Sequence, residues 1–385
     1  KKRRISCFQI VERVDRMDKK KKRGLLSKIM VFVLTLLAVV ALVAMILSVL
    51  SSYLDPVRFV WVPFFGLAFW GVFFFNLLLL VLFLVFWSNK IWITVLALLI
   101  AVPGLGKSYA MGKTRTQGSL RLMSYNVRNF NPFEKNLKAE AFANRVAEVV
   151  KAQDPDILCC QEFSAFTSEL SRSECISKFA EMTGMPHYYY HKKKNYGGNV
   201  LFSKYPIRTI PQEHSLGDEA IYGVVAEVDA AEKGCFYVAG VHLISNQITD
   251  DEIDFLTESP KSQTDTIVSF GKSIIVKLKR AFTKRSEQVQ AILKDLSQVD
   301  KPIIVCGDFN DTPLSYICRQ MKTSGFTDTF LAAGKGIGTT YAGKLPLLRI
   351  DYVWGNKQIQ PAAFKRVRSR GSDHFPVILE FDVER

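Results

Sequence analysis

Six places in this chain set a carboxylate, an asparagine or a histidine at the end of a short apolar run. They are Ser124-Tyr125-Asn126, Gln161-Glu162, Val241-His242-Leu243, Gly307-Asp308-Phe309-Asn310, Ile350-Asp351-Tyr352 and Ser372-Asp373-His374. Taken singly, most read as turn residues closing a strand, and a lone histidine in an apolar strand is more often a satisfied rim residue than a catalyst. Two of them ask for more. Asp308 and Asn310 are two residues apart, so in extended chain their side chains share a face. Asp351 lies inside an apolar strand, where an unpaired charge is costly and needs a partner. The Asp373-His374 pair ahead of the closing run at Val377 supplies one.

Residues that must converge need strands to aim them. From Leu120 onward, short β-branched or apolar runs alternate with amphipathic helical stretches, the pattern of an α/β domain. Strands are expected at 120–127, 157–161, 199–203, 224–228, 235–243, 303–306, 350–354 and 377–381. Helices are expected at 140–153, 171–183, in a long piece ending near Leu296, and at 315–323. No internal repeat is visible.

The ordered set of six motifs resembles the endonuclease/exonuclease/phosphatase superfamily, over roughly Leu120 to the C-terminus. The resemblance implies a four-layer α/β sandwich, two mixed β-sheets flanked by helices, with a metal site where the strand ends converge. It implies Glu162 as the main Mg2+ ligand, with Asn126 and Asp373 close to the metal or its waters. Such oxygen donors suit a hard cation, Mg2+ or Mn2+. It further implies Asp308 as the group that orients or deprotonates the attacking water and Asn310 as an amide for a phosphoryl oxygen. His374, held by Asp351, would stabilise phosphate charge, and His242 would support the leaving group or transition state. The chemistry is coherent: in-line displacement at phosphorus needs a nucleophilic water, neutralised charge and a relieved leaving oxygen. The expected activity is therefore metal-dependent hydrolysis of a phosphodiester or phosphomonoester, the substrate being a lipid headgroup, nucleic acid or small phosphodiester. The alternatives are an extracytoplasmic nuclease and a catalytically silent binding protein of the same fold. Against silence, none of Glu162, Asp308 or His374 is missing.

Two departures stand out. Gly240-Val241 precedes His242 where Asn or Thr is frequent, and 245–285 is a long insertion rich in Lys277, Lys279, Arg280, Lys284 and Arg285. The insertion reads as a solvated helix, with a lid or membrane-surface contact as the alternative. The Lys192-Lys193-Lys194 run is read equally as a phosphate-facing loop or a charged turn.

The formal net charge of +15 suggests an anionic partner, but Lys1 to Arg4 and Lys19 to Arg23 carry much of the excess. These flank the apolar run Leu25 to Leu50, interrupted only by Lys28 and longer than the about 20 residues a spanning helix needs. A second apolar run, Phe59 to Trp87, has aromatic edges. A third, Ile91 to Val102, ends at Pro103-Gly104 and is short. The expected organisation is a basic cytoplasmic arm (1–24), transmembrane helices (25–106, two or three), a linker (107–118) and a catalytic domain (119–385). With three spans, the favoured count, the enzyme is a multi-pass protein of the cytoplasmic membrane with its catalytic domain outside, and with two the domain stays in the cytosol; a monomer is expected. Gly104-Leu105-Gly106-Lys107-Ser108 imitates a phosphate-binding loop, but Ala101 stands where that motif requires glycine. Seven cysteines without ligand spacing point away from a disulfide framework or a zinc site. Almost no ionisable residue lies in the apolar runs to line a transport path.

Overall fold

The computed structural model describes the chain apart from residues 1–6, 87, 113–116, 132–136, 191–197, 210–222, 249–251, 253–263, 298, 344, 346, 370–371 and 385. The Lys192 to Lys194 run thus lies outside the described residues, as do Lys1 to Arg4.

The N-terminal third is helical. Helix α1 (Cys7–Leu50) is followed by a short α2 (Val62–Leu67), then α3 (Phe69–Val85) and α4 (Trp92–Ser108). The second apolar run is therefore split into α2 and α3. The third does not stop at Pro103-Gly104: α4 carries Pro103 inside it and continues to Ser108. Pro103 removes one donor from that turn. Ser27–Leu50 and Asn89–Ser108 are each long and apolar enough to cross a membrane; α3 is shorter. Helix α3 runs antiparallel to α1 and α4, which are parallel to each other. Leu34 and Ala38 pack with Leu79, Phe83 and Ile93 at one end, and Met45 packs with Phe69, Ala97 and Ala101 at the other. Between them Nδ2 of the buried Asn76 donates within its own helix to the carbonyl of Val72 at 2.9 Å, while its Oδ1 has no hydrogen-bond partner among the described residues.

Beyond α4 two six-stranded mixed sheets face each other, with helices on their outer sides. The strands are β1 (Ala110–Met111), β2 (Leu120–Asn126), β3 (Ile157–Gln161), β4 (His187–Tyr190), β5 (Val200–Ser203), β6 (Ile207–Thr209) and β7 (Gly223–Asp229). They continue with β8 (Cys235–His242), β9 (Ile303–Asp308), β10 (Thr327–Asp328), β11 (Lys335–Gly336), β12 (Asp351–Gly355), β13 (Ile359–Arg366) and β14 (Val377–Val383). One sheet has the order β13-β14-β2-β3-β5-β4 and the other β10-β12-β9-β8-β7-β6. This is the four-layer sandwich expected. Leu122, Ile157, Cys159 and Leu379 from the first sheet meet Val224, Phe236, Val238 and Cys306 from the second in a fully buried inner layer. Helices α5 (Ala139–Gln153) and α6 (Arg172–Thr183) cover the outer face of the first sheet around Phe142, Phe163 and Phe179. On the far side lie α7 (Thr264–Leu296) and α8 (Tyr316–Thr323), whereas Phe330 of the short α9 (Thr329–Ala333) packs edge-on against Phe364 of β13.

The eight expected strands all form with ends within two residues of expectation, β9 running on to Asp308 and β14 to Val383. The longer strand missing from the expectation is β13, which among the described residues pairs only with β14 and is bulged between Pro361 and Ala363. A proline in a strand is tolerated at such an edge, and it is also what hid the strand. Residues 107–118, expected as a linker, include β1, which pairs with β11. Gly240 also finds its reason: a Cβ there would meet Sγ of Cys159 at 2.1 Å, so glycine lets the two sheets approach.

The insertion is not a solvated helix along its length. Ile274, Leu278 and Phe282 of α7 are buried against Phe64 and Leu67 of α2 and against Ile248. Arg285, read as part of a basic solvated stretch, is fully buried; its Nε lies 3.1 Å from Asp311 and its Nη1 donates to the carbonyl of Ile244 and to Asn246. Burial pushes the Asp311 carboxyl up, and Arg285 opposes that. Arg285→Ala would leave Asp311 buried without its counter-charge, and should destabilise the fold by about 3–5 kcal/mol. Denaturant unfolding of the full-length protein checks this, and a loss under about 1 kcal/mol would mean that water reaches Asp311 readily.

Candidate active site

Strand register brings the polar ends together before any side chain turns. In the second sheet His242 pairs with Asp308 across the parallel β8/β9 ladder, and Asp308 pairs with Asp351 across the antiparallel β9/β12 ladder. Three neighbouring strands thus present His242, Asp308 and Asp351 at one level, on one face. In the first sheet β2 and β3 run parallel, so Asn126 and Gln161 end side by side and Glu162 follows one residue later. Gly307 permits the approach of β9 to β8: its φ is +141°, and a Cβ would lie 1.9 Å from the carbonyl oxygen of Val241.

The two sheets are joined at the site by one amide. Nδ2 of Asn126 donates to Oε1 of Glu162 and to Oδ2 of Asp308, each at 3.0 Å, while its Oδ1 accepts from the Arg128 backbone. Asn129 donates to the other Glu162 oxygen at 2.8 Å, and its backbone N–H reaches the Glu162 carbonyl. Glu162, Arg128, Asn129 and Asn310 all have left-handed backbone, φ between +50° and +54°. Such conformations cost about 1–3 kcal/mol each in non-glycine residues and persist where surrounding bonds fix them, commonly at functional sites.

His374 sits between two carboxylates. Its Nδ1 lies 2.9 and 3.1 Å from the oxygens of Asp351, and its Nε2 lies 3.6 Å from Oδ2 of Asp308. Tyr341 packs edge-on against the ring, and Thr340 Oγ1 accepts the backbone N–H groups of Ile350 and Asp351. Burial alone would lower the imidazole pKa, but Asp351 and Asp308 outweigh it and hold it up to about 10. Asp308 itself, 1 % exposed, is pushed up to about 6 by burial and by Asp351, against the pull of His374 and His242. A carboxylate poised there can accept a proton near neutral pH.

All eight residues singled out in the sequence meet here. Glu162, Asp308, Asn310, Asp373 and His374 line a cavity of about 210 Å3. Asn126 and Asp351 stand behind them through the bonds above. His242 directs Nε2 toward Glu162 (3.6 Å) and Asp308 (3.8 Å), and this buried atom has no hydrogen-bond partner. Asn310 donates its backbone N–H to Oδ1 of Asp308 and one side-chain amide proton to the Leu243 carbonyl, leaving the other for a ligand. Gln161 turns into the core instead, toward Ser124. Residues that sequence reasoning missed are Asn129, Thr340, Tyr341 and Arg128, whose Nε lies 3.5 Å from Asp373. Their side chains come from loops, and only the proximity of Arg128-Asn129 to Asn126 could have flagged them.

The donors fit a hard divalent cation. Glu162 is partly open to the cavity with its carboxylate fixed by two amides, Asp373 lines the same space, and the unpartnered His242 nitrogen lies 3.6 Å from Glu162. Asp308, Asp351 and His374 also place possible ligand atoms within 4.8 Å of one another. There, however, the imidazolium already supplies the positive charge between the two carboxylates, so the Glu162 side is the better place for an ion.

A family model described as the endonuclease/exonuclease/phosphatase family matches residues 123–374, and one described as a domain of unknown function matches 27–108. No curated protein matches the chain. Among solved structures, an endonuclease/exonuclease/phosphatase from Beutenbergia cavernae is 19% identical over 69% of this chain and 72% of its own, with a TM-score of 0.45. One from Bacteroides vulgatus is 15% identical over 69% and 99%, with a TM-score of 0.48. The human Nocturnin catalytic domain is 17% identical over 70% and 96%, with a TM-score of 0.45.

The Asn126 bridge has a direct test. Asn126→Ala removes the shared donor of Glu162 and Asp308, and Mg2+ affinity measured calorimetrically on the full-length protein should fall by about 10–100-fold with the circular dichroism unchanged. Unaltered affinity would place the ion away from Glu162.

Proposed function

Because the chain belongs to the endonuclease/exonuclease/phosphatase family, whose members hydrolyse phosphoester bonds with divalent metals, we propose that it is a membrane-anchored, Mg2+-dependent phosphoesterase acting on a membrane amphiphile. The observation that carries the substrate class is Leu67. This residue of α2, set between two apolar helices, lines the same cavity as Glu162, Asp308 and His374. Ile248, Leu345, Leu348 and Ile350 extend the apolar side of that wall. A phosphoester carried on an acyl chain meets polar groups and apolar wall together; a free nucleic-acid strand has no use for the latter.

Several features support the membrane reading. Among the described residues, every exposed large hydrophobic side chain except Tyr188, Ile275 and Val276 lies between Ile29 and Met111. Soluble monomers rarely expose contiguous apolar surface beyond a few hundred Å2. Ile275 and Val276 belong to α7 where it packs beside α2, and Lys279 of the same helix lies 3.2 Å from the ring centre of the exposed Trp61. This is the composition of a helix resting at a bilayer surface. Three antiparallel crossings would put the basic N-terminus and the catalytic domain on opposite sides, the domain outside by the positive-inside rule.

In the proposed mechanism Asp308 orients the attacking water and takes its proton, helped by a carboxyl pKa near neutrality. His374, kept as imidazolium by Asp351, faces the negative charge that spreads over the phosphoryl oxygens. The free amide proton of Asn310 binds one such oxygen, and His242, whose Nε2 lies beside Glu162 and Asp308, supports the leaving oxygen or the transition state. Glu162 and Asp373 would hold the metal, Asn126 fixing the first of them. When bound, the ion supplies Lewis-acid neutralisation of the phosphate.

Full-length protein in phospholipid vesicles should release phosphoester product in a Mg2+-dependent, EDTA-sensitive manner, and Asp308→Ala should lower the rate by about 10²–10⁴-fold. Leu67→Gln should depress turnover of vesicle lipid more than that of a water-soluble aryl phosphodiester. Cleavage of DNA in preference to any lipid would overturn the substrate assignment while leaving the hydrolase intact.

A further inference from the structure

A second, larger cavity of about 700 Å3 lies where the ends of α1 and α4 meet α8. It shares no lining residue with the catalytic cavity, although Pro313 borders one and Thr312 the other. Its walls carry Lys107, Arg319, Lys322 and Arg349 against a single carboxylate, Asp328. Asp328 is already committed, its Oδ2 lying 2.8 Å from Nη2 of Arg349. Lys107 and Arg319 are gathered over the same aromatic ring, at 4.7 and 4.1 Å from the centre of Tyr53. Bringing like charges onto one ring is unfavourable unless a counter-charge joins them.

The buried floor has the same deficit. Arg349 is 2 % exposed and sandwiched between Phe330 and Tyr352. Its Nη2 also donates to the Lys107 carbonyl, but Nε and Nη1 have no hydrogen-bond partner, and neither has the buried Nε1 of Trp354. Buried donors normally find acceptors, and a guanidinium with spare donors beside further cations is the usual protein answer to a phosphate group. We propose that this cavity binds the phosphate group of an anionic phospholipid.

The place argues for the lipid. Tyr53 follows α1 by three residues and Lys107 stands in the last turn of α4, so the cations gather at the ends of the two helices long enough to cross a bilayer. Basic pockets at such helix ends are where anionic headgroups bind. The phosphate chemistry rests on the cavity alone, whereas its lipid source rests on the membrane reading given above. A headgroup there would sit beside Pro313, joining the loop that carries Asp308 and Asn310 to the bilayer.

The test uses the full-length protein in phosphatidylcholine nanodiscs with added phosphatidylglycerol, and native mass spectrometry of the lipid retained on release. Arg319 and Lys322 are exposed, so the double variant Arg319→Glu/Lys322→Glu is compatible with folding. Wild type should retain phosphatidylglycerol over phosphatidylcholine, and the variant should lose about tenfold or more of that preference. In a parallel arm, millimolar inorganic phosphate is added to protein in neutral detergent and thermal unfolding is followed. Stabilisation by phosphate that the variant lacks, without lipid preference, would keep the anion site and overturn its lipid source. Equal retention of both lipids by the two proteins, with no phosphate effect, overturns the proposal. Hydrolysis of a soluble aryl phosphodiester, followed in both proteins, should be equal; its absence in both would refute the proposed activity without touching the lipid result.

Discussion

Two carboxylates that repel one another are held within reach of a single amide in this protein. Asn126 stands at the end of β2 in one sheet and gives one hydrogen bond to Glu162 in its own sheet and one to Asp308 in the other. The rest of the site is arranged about that link. Glu162 needs its left-handed backbone to turn back toward β2, and Asn129 secures its second oxygen. Asp308 needs Gly307 to reach the strand end without colliding with Val241. Because Asp308 is buried, its charge is tolerable only beside His374, and His374 keeps its proton only because Asp351 lies behind it. The sheets could pack without this chain of dependence, but the groups would not then share one cavity.

The loop after β9 extends the same dependence into the helical region. Four residues beyond Asn310, Leu314 is buried among Met45, Phe69, Ala97 and Ala101, and its carbonyl accepts hydrogen bonds from Ser51 and Ser52. Asp311 in the same loop is held by Arg285 of α7. The segment that carries Asp308 and Asn310 is thus fastened on one side to the apolar helices and on the other to the insertion. Packing interfaces of this kind shift between discrete arrangements rather than deform smoothly. A displacement of α1, α2 or α4 would therefore reach Asp308 through Leu314 without crossing either sheet.

The alternation of apolar and polar residues determined most of the architecture. Strand positions at 157–161 and 224–228, and the helices at 140–153 and 171–183, follow from local periodicity and propensity, so they were legible without knowledge of the partners. The eight polar residues were legible as well, because each interrupts or ends an apolar run where an uncommitted polar group is costly. What had no local signature was decided by the tertiary structure. Edge strand β13 carries Pro361 and has no alternation of its own to announce it. Helix α4 runs through Pro103, where the sequence suggests an end, because Gly104 packs flush against Phe69 and Leu314. Arg285 looked like one more solvated cation, and only the fold buries it against Asp311. The apolar wall at Leu67 and the basic cavity at Tyr53 and Arg349 draw on segments about 180 to 300 residues apart in the chain, and no short-range pattern encodes such a meeting. Periodicity reports which face of an element is buried, whereas the identity of what covers that face is settled when distant elements pack.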